Sequence, residues 1–350
     1  MKGRVVILDE IADRQCAALI VDGQLHELSI DPEGDRVLPG AIFRAIADRP
    51  MKGQGGIFVK LPDGQTGFLR QVSGIAPGQR LLVQVSGPAE AGKAFPVTTR
   101  LLFKSRFAIV TPDAPGLNIS RRIKDEDLRA DLSALATEAM AGAEARLGLI
   151  LRSACAEAEP DAIAEDIAAM RDLAQAVLAD VTGDAELLVD GAVAHDIAFR
   201  DWLDPAPDEV ITEPGGFADL GVDDLVAALL EPRVDLSGGG HMMIEATRAL
   251  VAVDVNTGPD TSPAASLKVN IAAARDLGRQ LRLRGLGGQV VVDFAPMSKK
   301  DRAVLDQVIK AAFKAEGDAH LAGWTNLGLY ELTRRRDRLP LEDLAEGLFA

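Results

Sequence analysis

With 350 residues, 47% of them hydrophobic, the chain can bury a sizeable core and is long enough for two or more lobes. A net charge of −15 argues against indiscriminate nucleic-acid binding, because affinity for phosphate backbones comes mainly from Lys and Arg. The two cysteines, Cys16 and Cys155, exclude a disulfide framework or a four-cysteine zinc site within one chain; no apolar run approaches the roughly 20 residues that span a bilayer, and the opening MKGRVVILDEIADRQ lacks a signal-peptide core, so the expected location is cytoplasmic.

In chain order, Arg4 to Ile30 reads as three short strands, VVIL, AALIVDG and QLHELSI, the last two joined at Asp22-Gly23, a strong hairpin signal. This piece is too small to bury a core and is expected to pair with strands that arrive much later. From about Pro39 the texture changes to GAIFRAIAD, GGIFVKL, TGFLRQV, RLLVQVS and PVTTRLLF, short strands divided by glycine-rich turns that predict a small antiparallel barrel. Phe58 and Phe68 fall on adjacent strands beside Lys60 and Arg70, as core side chains or as surfaces on which bases stack. Asp125 to Asp180 is alanine-rich and predicted helical, with a break at Leu149 to Cys155. Ala185 to Asp235 opens with two predicted strands, ELLVDG and HDIAF, and continues as acidic, proline-punctuated loops. His195 and His241 have no partner histidine at ligand spacing and read as structural residues.

The stretch from Ala249 to Met297 carries the chemistry. Two valine-rich runs, Ala249 to Val253 and Gln289 to Val292, each stop at a carboxylate, Asp254 and Asp293. Between them Ser262-Pro263 reads as a helix start, and Leu267, Ile271, Ala274, Leu277 and Leu281 recur at helical spacing until Gly285. A strand–helix–strand crossover makes the strands parallel and sends both aspartates to one carboxyl edge. Two carboxylates about 5 Å apart repel unless a proton or cation sits between them, and Mg²⁺ is the natural candidate. Asn256 adds a neutral oxygen or amide donor at the same loop. Basic residues surround this stretch: Lys299-Lys300, the run Arg334 to Arg336 with Arg338, and Arg275, Arg279 and Arg282 on one face of the crossover helix opposite its apolar stripe, which reads as a solvated face or as one that meets phosphates.

IEATRALVAVDVNTG, RQLRLRGLGGQVVVDFAPM and the later NLGLYELTRRR resemble the catalytic region of the ribonuclease E/G family. The resemblance implies that Asp254 and Asp293 carry the catalytic magnesium and that Asn256 assists. It also implies an α/β multi-subdomain fold in five segments. Residues 1–35 and 181–240 form a split ribonuclease-H-like subdomain; 36–122 an inserted OB-type β-barrel; 123–180 a helical 5′-sensor-like region; and 241–350 an α/β catalytic, DNase-I-like subdomain. GAIFRAI…GGIFVKLPDGQTGFL is similar to the family's OB-type domain, with Phe58 and Phe68 at its aromatic RNA contacts and Lys93 at its basic one. GLILRSAC resembles the segment that recognises a 5′-monophosphate, with Arg152 and Ser153 in the reading positions. Serine replaces the usual threonine, and Cys155 stands where a glycine is expected. A guanidinium fork beside a hydroxyl suits a terminal phosphate.

The chain also departs from the family pattern. The loop between Asp254 and Asn270 is shorter and lacks the family's glutamates, Pro296 replaces a second aspartate, and Arg248 replaces an acidic residue. The family's paired-cysteine zinc link has no counterpart after Arg336, so a zinc-linked tetramer is not expected and a homodimer is left open. Two functions follow: a Mg²⁺-dependent endoribonuclease acting on single-stranded RNA, or a catalytically weak RNA-binding relative that keeps the fold. The strand–helix–strand site alone would also suit a metal-dependent phosphatase or a nuclease acting on DNA.

Overall fold

A computed structural model describes residues 2–34, 36–51, 55–70, 73–89, 92–260, 262–317 and 319–349. Arg4–Ile11, Arg14–Val21 and Gln24–Ile30 form an antiparallel meander. It turns at Ala12-Asp13 and at Asp22-Gly23, where the three non-glycine residues hold φ between 50° and 60°, the left-handed backbone that tight hairpins require. A late strand, Glu209–Ile211, joins its edge in parallel, with Val5 opposite Glu209. Both faces are covered. Ile7, Ile20 and their neighbours pack against Phe217, Val222 and Val226, and Val6, Leu8, Ala17 and Leu19 pack against Ala194, Ala198 and Trp202. The second face corrects an expectation: HDIAF lies in a helix, Ala194–Asp201, not a strand. Ala194, Ala198 and Trp202 recur every four residues, which a helix gathers on one side.

Ile42–Met51, Gly56–Lys60, Thr66–Arg70, Phe95–Thr98 and Arg80–Val85 close into a five-stranded barrel, because the first of these also pairs with the last, an arrangement consistent with an OB-type barrel. Alternate residues, among them Ile57, Val59, Leu69, Val83 and Val97, fill its interior. One pairing departs from the antiparallel expectation: Thr66–Arg70 and Phe95–Thr98 run parallel, since Arg80–Val85 intervenes in the chain. The ELLVDG segment is a strand, Glu186–Val189, added antiparallel to Ile42–Met51.

Residues 147–151, expected in part as helix and in part as a break in helix, form the strand Leu147–Leu151. It pairs in parallel with Gly116–Ile119 and antiparallel with Ala108–Pro112, whose other edge carries Phe103–Lys104. Helices Glu126–Ala139 and Pro160–Ala179 share its core, with Ile163 and Ile167 against Leu149 and Leu151. LGLIL is a five-residue apolar run, long enough for a buried strand though set in alanine-rich surroundings.

The remaining sheet has six strands, in the order Arg233–Asp235, His241–Ala246, Val251–Asn256, Gly288–Asp293, Tyr330–Arg334 and Ala319–Trp324. Its central pair is parallel, as expected from the crossover. Helices Pro263–Leu283 and Lys299–Glu316 pack on the same face, over Val253, Val255, Val290 and Val292. The opposite face presents Glu245, Asp254, Gln289, Asp293 and Glu331 to solvent. The crossover helix starts as its sequence predicts, with Ser262 accepting from the Ala265 N–H at 3.2 Å and Pro263 in the first turn. It stops before Gly285, where φ is +64° and a Cβ would stand 2.0 Å from the Leu339 carbonyl, so only glycine fits.

The arginine face of this helix does something other than meet phosphates. Arg279 donates to the Leu25 carbonyl at 2.8 Å and pairs with Asp276 at 2.7 Å. Arg282 pairs with Glu27 at 2.9 Å and with Glu316, and donates to the His26 carbonyl. Both fasten the helix to the Gln24–Ile30 strand, while Arg275 stays exposed. The later arginine run is similarly engaged: Arg334 is buried and donates to the Leu286 carbonyl, Arg335 to the Ser86 carbonyl, and Arg338 pairs with Glu27.

Candidate active site and nucleic-acid groove

Register decides the site. Val253 lies opposite Val292 and Asp254 opposite Asp293 on adjacent parallel strands, so both carboxylates leave the open face of the sheet about 5 Å apart. Both are exposed. Asn256, two residues on and so on the same face, donates from Nδ2 to Oδ2 of Asp254 at 2.8 Å, which fixes that carboxylate through one of its two oxygens. Met243 is the cross-strand neighbour of Asp254, and His241 that of Asn256. Among the described residues no group of three or more His, Cys, Asp or Glu is placed to hold a metal ion. The donor set is therefore two aspartates with an amide, and it fits Mg²⁺, which takes one or two carboxylates and completes its shell with water and phosphate oxygens.

One residue that sequence reasoning passed over supports this pair. Asn270 sits fully buried on the crossover helix, donates to the Ala295 carbonyl at 2.9 Å and accepts from the Ala295 N–H at 3.0 Å. It thus clamps the turn that begins two residues after Asp293. The signal was present as a lone asparagine within the helix's apolar stripe, between Leu267 and Ala274. Phe294 reinforces the same turn, packing against Trp324 and Tyr330 at ring separations of 5.8 and 6.4 Å.

On the barrel, Phe58 and Phe68 face each other in register, with ring centroids 5.1 Å apart. Both are half-buried, while Ile57, Val59 and Leu69 beside them are buried, so alternation turns the two rings outward and the core role is filled by their neighbours. A Cβ on Gly56 would stand 2.5 Å from the Phe68 ring; the glycine leaves the ring room to lie flat. Arg49 lies 5.4 Å from the centre of the Phe58 ring. A cleft of about 1720 Å³ is bounded by Arg49, Phe58, Phe68 and the exposed Lys93 on the barrel, by Gln289 on the six-stranded sheet and by Ala249 in the turn that precedes Val251–Asn256. Gln289 and Asp293 share the open face of one strand, about 13 Å apart along it.

Arg152 and Ser153 lie elsewhere, after the Leu147–Leu151 strand. The Arg152 guanidinium donates to the carbonyls of Ser105 and Arg200 at 2.6 and 3.2 Å and to Asp201 at 2.6 Å. Ser153 donates to Asp204, which also lies 3.7 Å from Arg122. Burial pushes the Asp201 carboxyl up, but hydrogen bonds and charge from Arg200 and Arg152 outweigh it and hold it below the usual carboxylate range. Cys155 is buried beneath this segment, and burial raises its thiol to about 11, so it is an inert packing group.

Comparison with known proteins places the chain in a family over most of its length. The family model described as "Ribonuclease E/G family" matches residues 103–219 and 212–337. Ribonuclease E of Synechocystis sp. is 28% identical over 404 aligned positions, covering 98% of this chain and 58% of that protein. Ribonuclease E of Nostoc sp. is 28% identical, covering 96% and 56%, so the chain spans a little over half the length of these two relatives. Ribonuclease G of Escherichia coli K12 is also 28% identical, covering 93% and 78%. The paired aspartates, the aromatic barrel surface and these matches identify the chain as a member of the ribonuclease E/G family.

Proposed function

We propose that the chain is a Mg²⁺-dependent endoribonuclease that cleaves single-stranded RNA in RNA processing or decay. The observation that carries this reading is the in-register pairing of Asp254 and Asp293 on an open sheet face, with Asn256 fixing one carboxylate. A divalent ion held by the two aspartates would supply Lewis-acid stabilisation of the charge that develops on the phosphate. The chain's own contribution is placement: Asn256 orients Asp254, Asn270 anchors the turn after Asp293, and the uncovered sheet face admits an extended strand. The aromatic cleft reaches that face at Gln289, so a strand stacked on Phe58 and Phe68 with Lys93 beside its backbone is led toward the aspartates. The decisive experiment is incubation of the purified protein with a labelled single-stranded RNA in Mg²⁺ or in chelator. Equal fragment yields in the two would reject the metal-dependent reading.

If Phe58 and Phe68 stack bases, either alanine replacement should weaken RNA binding in chelator by about 1–3 kcal/mol while leaving the melting temperature nearly unchanged, because neither ring fills the barrel interior. A steep loss of melting temperature with unaltered binding would return both rings to a structural role.

Arg152 and Ser153 are assigned the 5′ end, where a terminal monophosphate competes with Asp201 and Asp204 for them. Asp201→Asn should therefore raise the preference for 5′-monophosphorylated over 5′-hydroxyl RNA by about tenfold, the scale of one charge-assisted hydrogen bond, and Arg152→Ala should abolish it. Equal rates on both RNAs in all three proteins would leave Arg152 as a tie between the 147–151 strand and the 194–201 helix.

A further inference from the structure

We propose that the cleft between the barrel, the Phe103–Lys104 strand and the Ala194–Asp201 helix is a second binding segment for the phosphodiester backbone of the same single-stranded RNA. The inference rests on the functional reading above and extends it to a site outside the aromatic groove. The cleft, about 1030 Å³ in volume, shares Ser86, Thr98, Arg100 and Arg335 with that groove, so the two form one continuous trough. Lys104 and Arg106 line its continuation, both exposed.

In a chain of net charge −15, this wall concentrates cations. Lys104 is open to solvent yet crowded. Burial lowers the pKa of its ammonium, and Arg200, Arg152 and Arg335 add to the effect against the opposing charge of Asp201. Asp201 is shared between two guanidinium groups, Arg152 at 2.6 Å and Arg200 at 2.8 Å, so a single carboxylate does not neutralise the cluster. Like charges held this close are costly until an anion arrives between them. Asp31, Asp190, Asp196 and Asp337 line the cleft as well; Asp31 accepts from the Ala194 N–H at 2.8 Å and Asp337 lies 3.6 Å from the Arg334 guanidinium. The phosphate track is therefore assigned to Arg100, Lys104 and Arg106. Continuity with the stacking groove selects the occupant: a strand whose bases rest on Phe58 and Phe68 carries its phosphates past Arg100 and into this wall.

The test uses fluorescence anisotropy in chelator, so that binding is read without cleavage. The probes are oligouridylates of about 6 and about 24 nucleotides, the shorter lying within the site size of one OB barrel and the longer exceeding it. The double variant Lys104→Gln/Arg106→Gln is expected to bind the long probe about tenfold more weakly and to lose about 1.4 from the salt slope, two contacts at roughly 0.7 each. Its affinity for the short probe should not change. Lys104→Arg should bind both like the wild type. Arg106→Gln alone, with an exposed side chain, should give the same direction at about threefold, which keeps the test intact if the double variant folds poorly. Equal losses on both probes, or undiminished binding of the long one, would overturn the second segment while leaving the functional reading standing. Wild-type protein that binds neither probe overturns both.

Discussion

Replacing Asp254 or Asp293 by asparagine is expected to lower Mg²⁺-dependent RNA cleavage by about a hundredfold to a thousandfold, the scale seen when one group that stabilises developing charge is deleted. The substitution keeps the side chain's volume and, at position 254, an acceptor for Asn256, but removes an ionised ligand from a pair that stands in register. Both positions are solvent-exposed, so the fold should survive. A second readout needs no turnover. A ligand that binds only the native state raises its stability by RT ln(1 + [L]/Kd), so Mg²⁺ should raise the melting temperature of the wild type and not of either variant. Asn256→Ala should be milder, because Asp254 keeps its charge and loses only its orientation. Undiminished cleavage in both aspartate variants, with an unchanged Mg²⁺ shift in melting, would move the metal site elsewhere.

The strand–helix–strand frame of that site was legible because local signals agreed. Each valine run stopped at an aspartate, Ser262-Pro263 marked the helix start, and a crossover fixes the parallel direction. Parallel strands with equal offsets then put Asp254 beside Asp293. Local signals misled where the partner arrives from far along the chain. Arg279 and Arg282 looked like a solvated, phosphate-facing stripe, but the Leu25 carbonyl and Glu27, some 250 residues earlier, claim them. HDIAF was read by its apolar letters, whereas the spacing of Ala194, Ala198 and Trp202 was the helical signal that tertiary packing used. Phe58 and Phe68 could be turned outward only once the barrel fixed which of the alternating residues faced in. For Arg152 the sequence named the residue, and only the structure supplied Asp201 and the two carbonyls that hold it.

Asn270→Ala should be the most destabilising single change near the site. The side chain is fully buried and satisfies both the N–H and the C=O of Ala295. Truncation strands a buried donor and a buried acceptor, each worth about 1–3 kcal/mol, and opens a small void in the helix–turn contact. A total of about 2–6 kcal/mol is a large fraction of the roughly 5–15 kcal/mol that holds a domain folded. The urea midpoint should fall accordingly. Asn270→Asp should be no better: the carboxylate can still accept from the Ala295 N–H, but it meets the Ala295 carbonyl with a second acceptor and an uncompensated charge. Because Ala295 lies two residues beyond Asp293, the effect should reach the chemistry. Measured at low temperature, where Asn270→Ala remains folded, its cleavage rate should drop while its binding of RNA to the barrel groove in chelator stays at the wild-type level. A rate that falls only in proportion to the unfolded fraction would make Asn270 a stabilising residue with no part in placing Asp293.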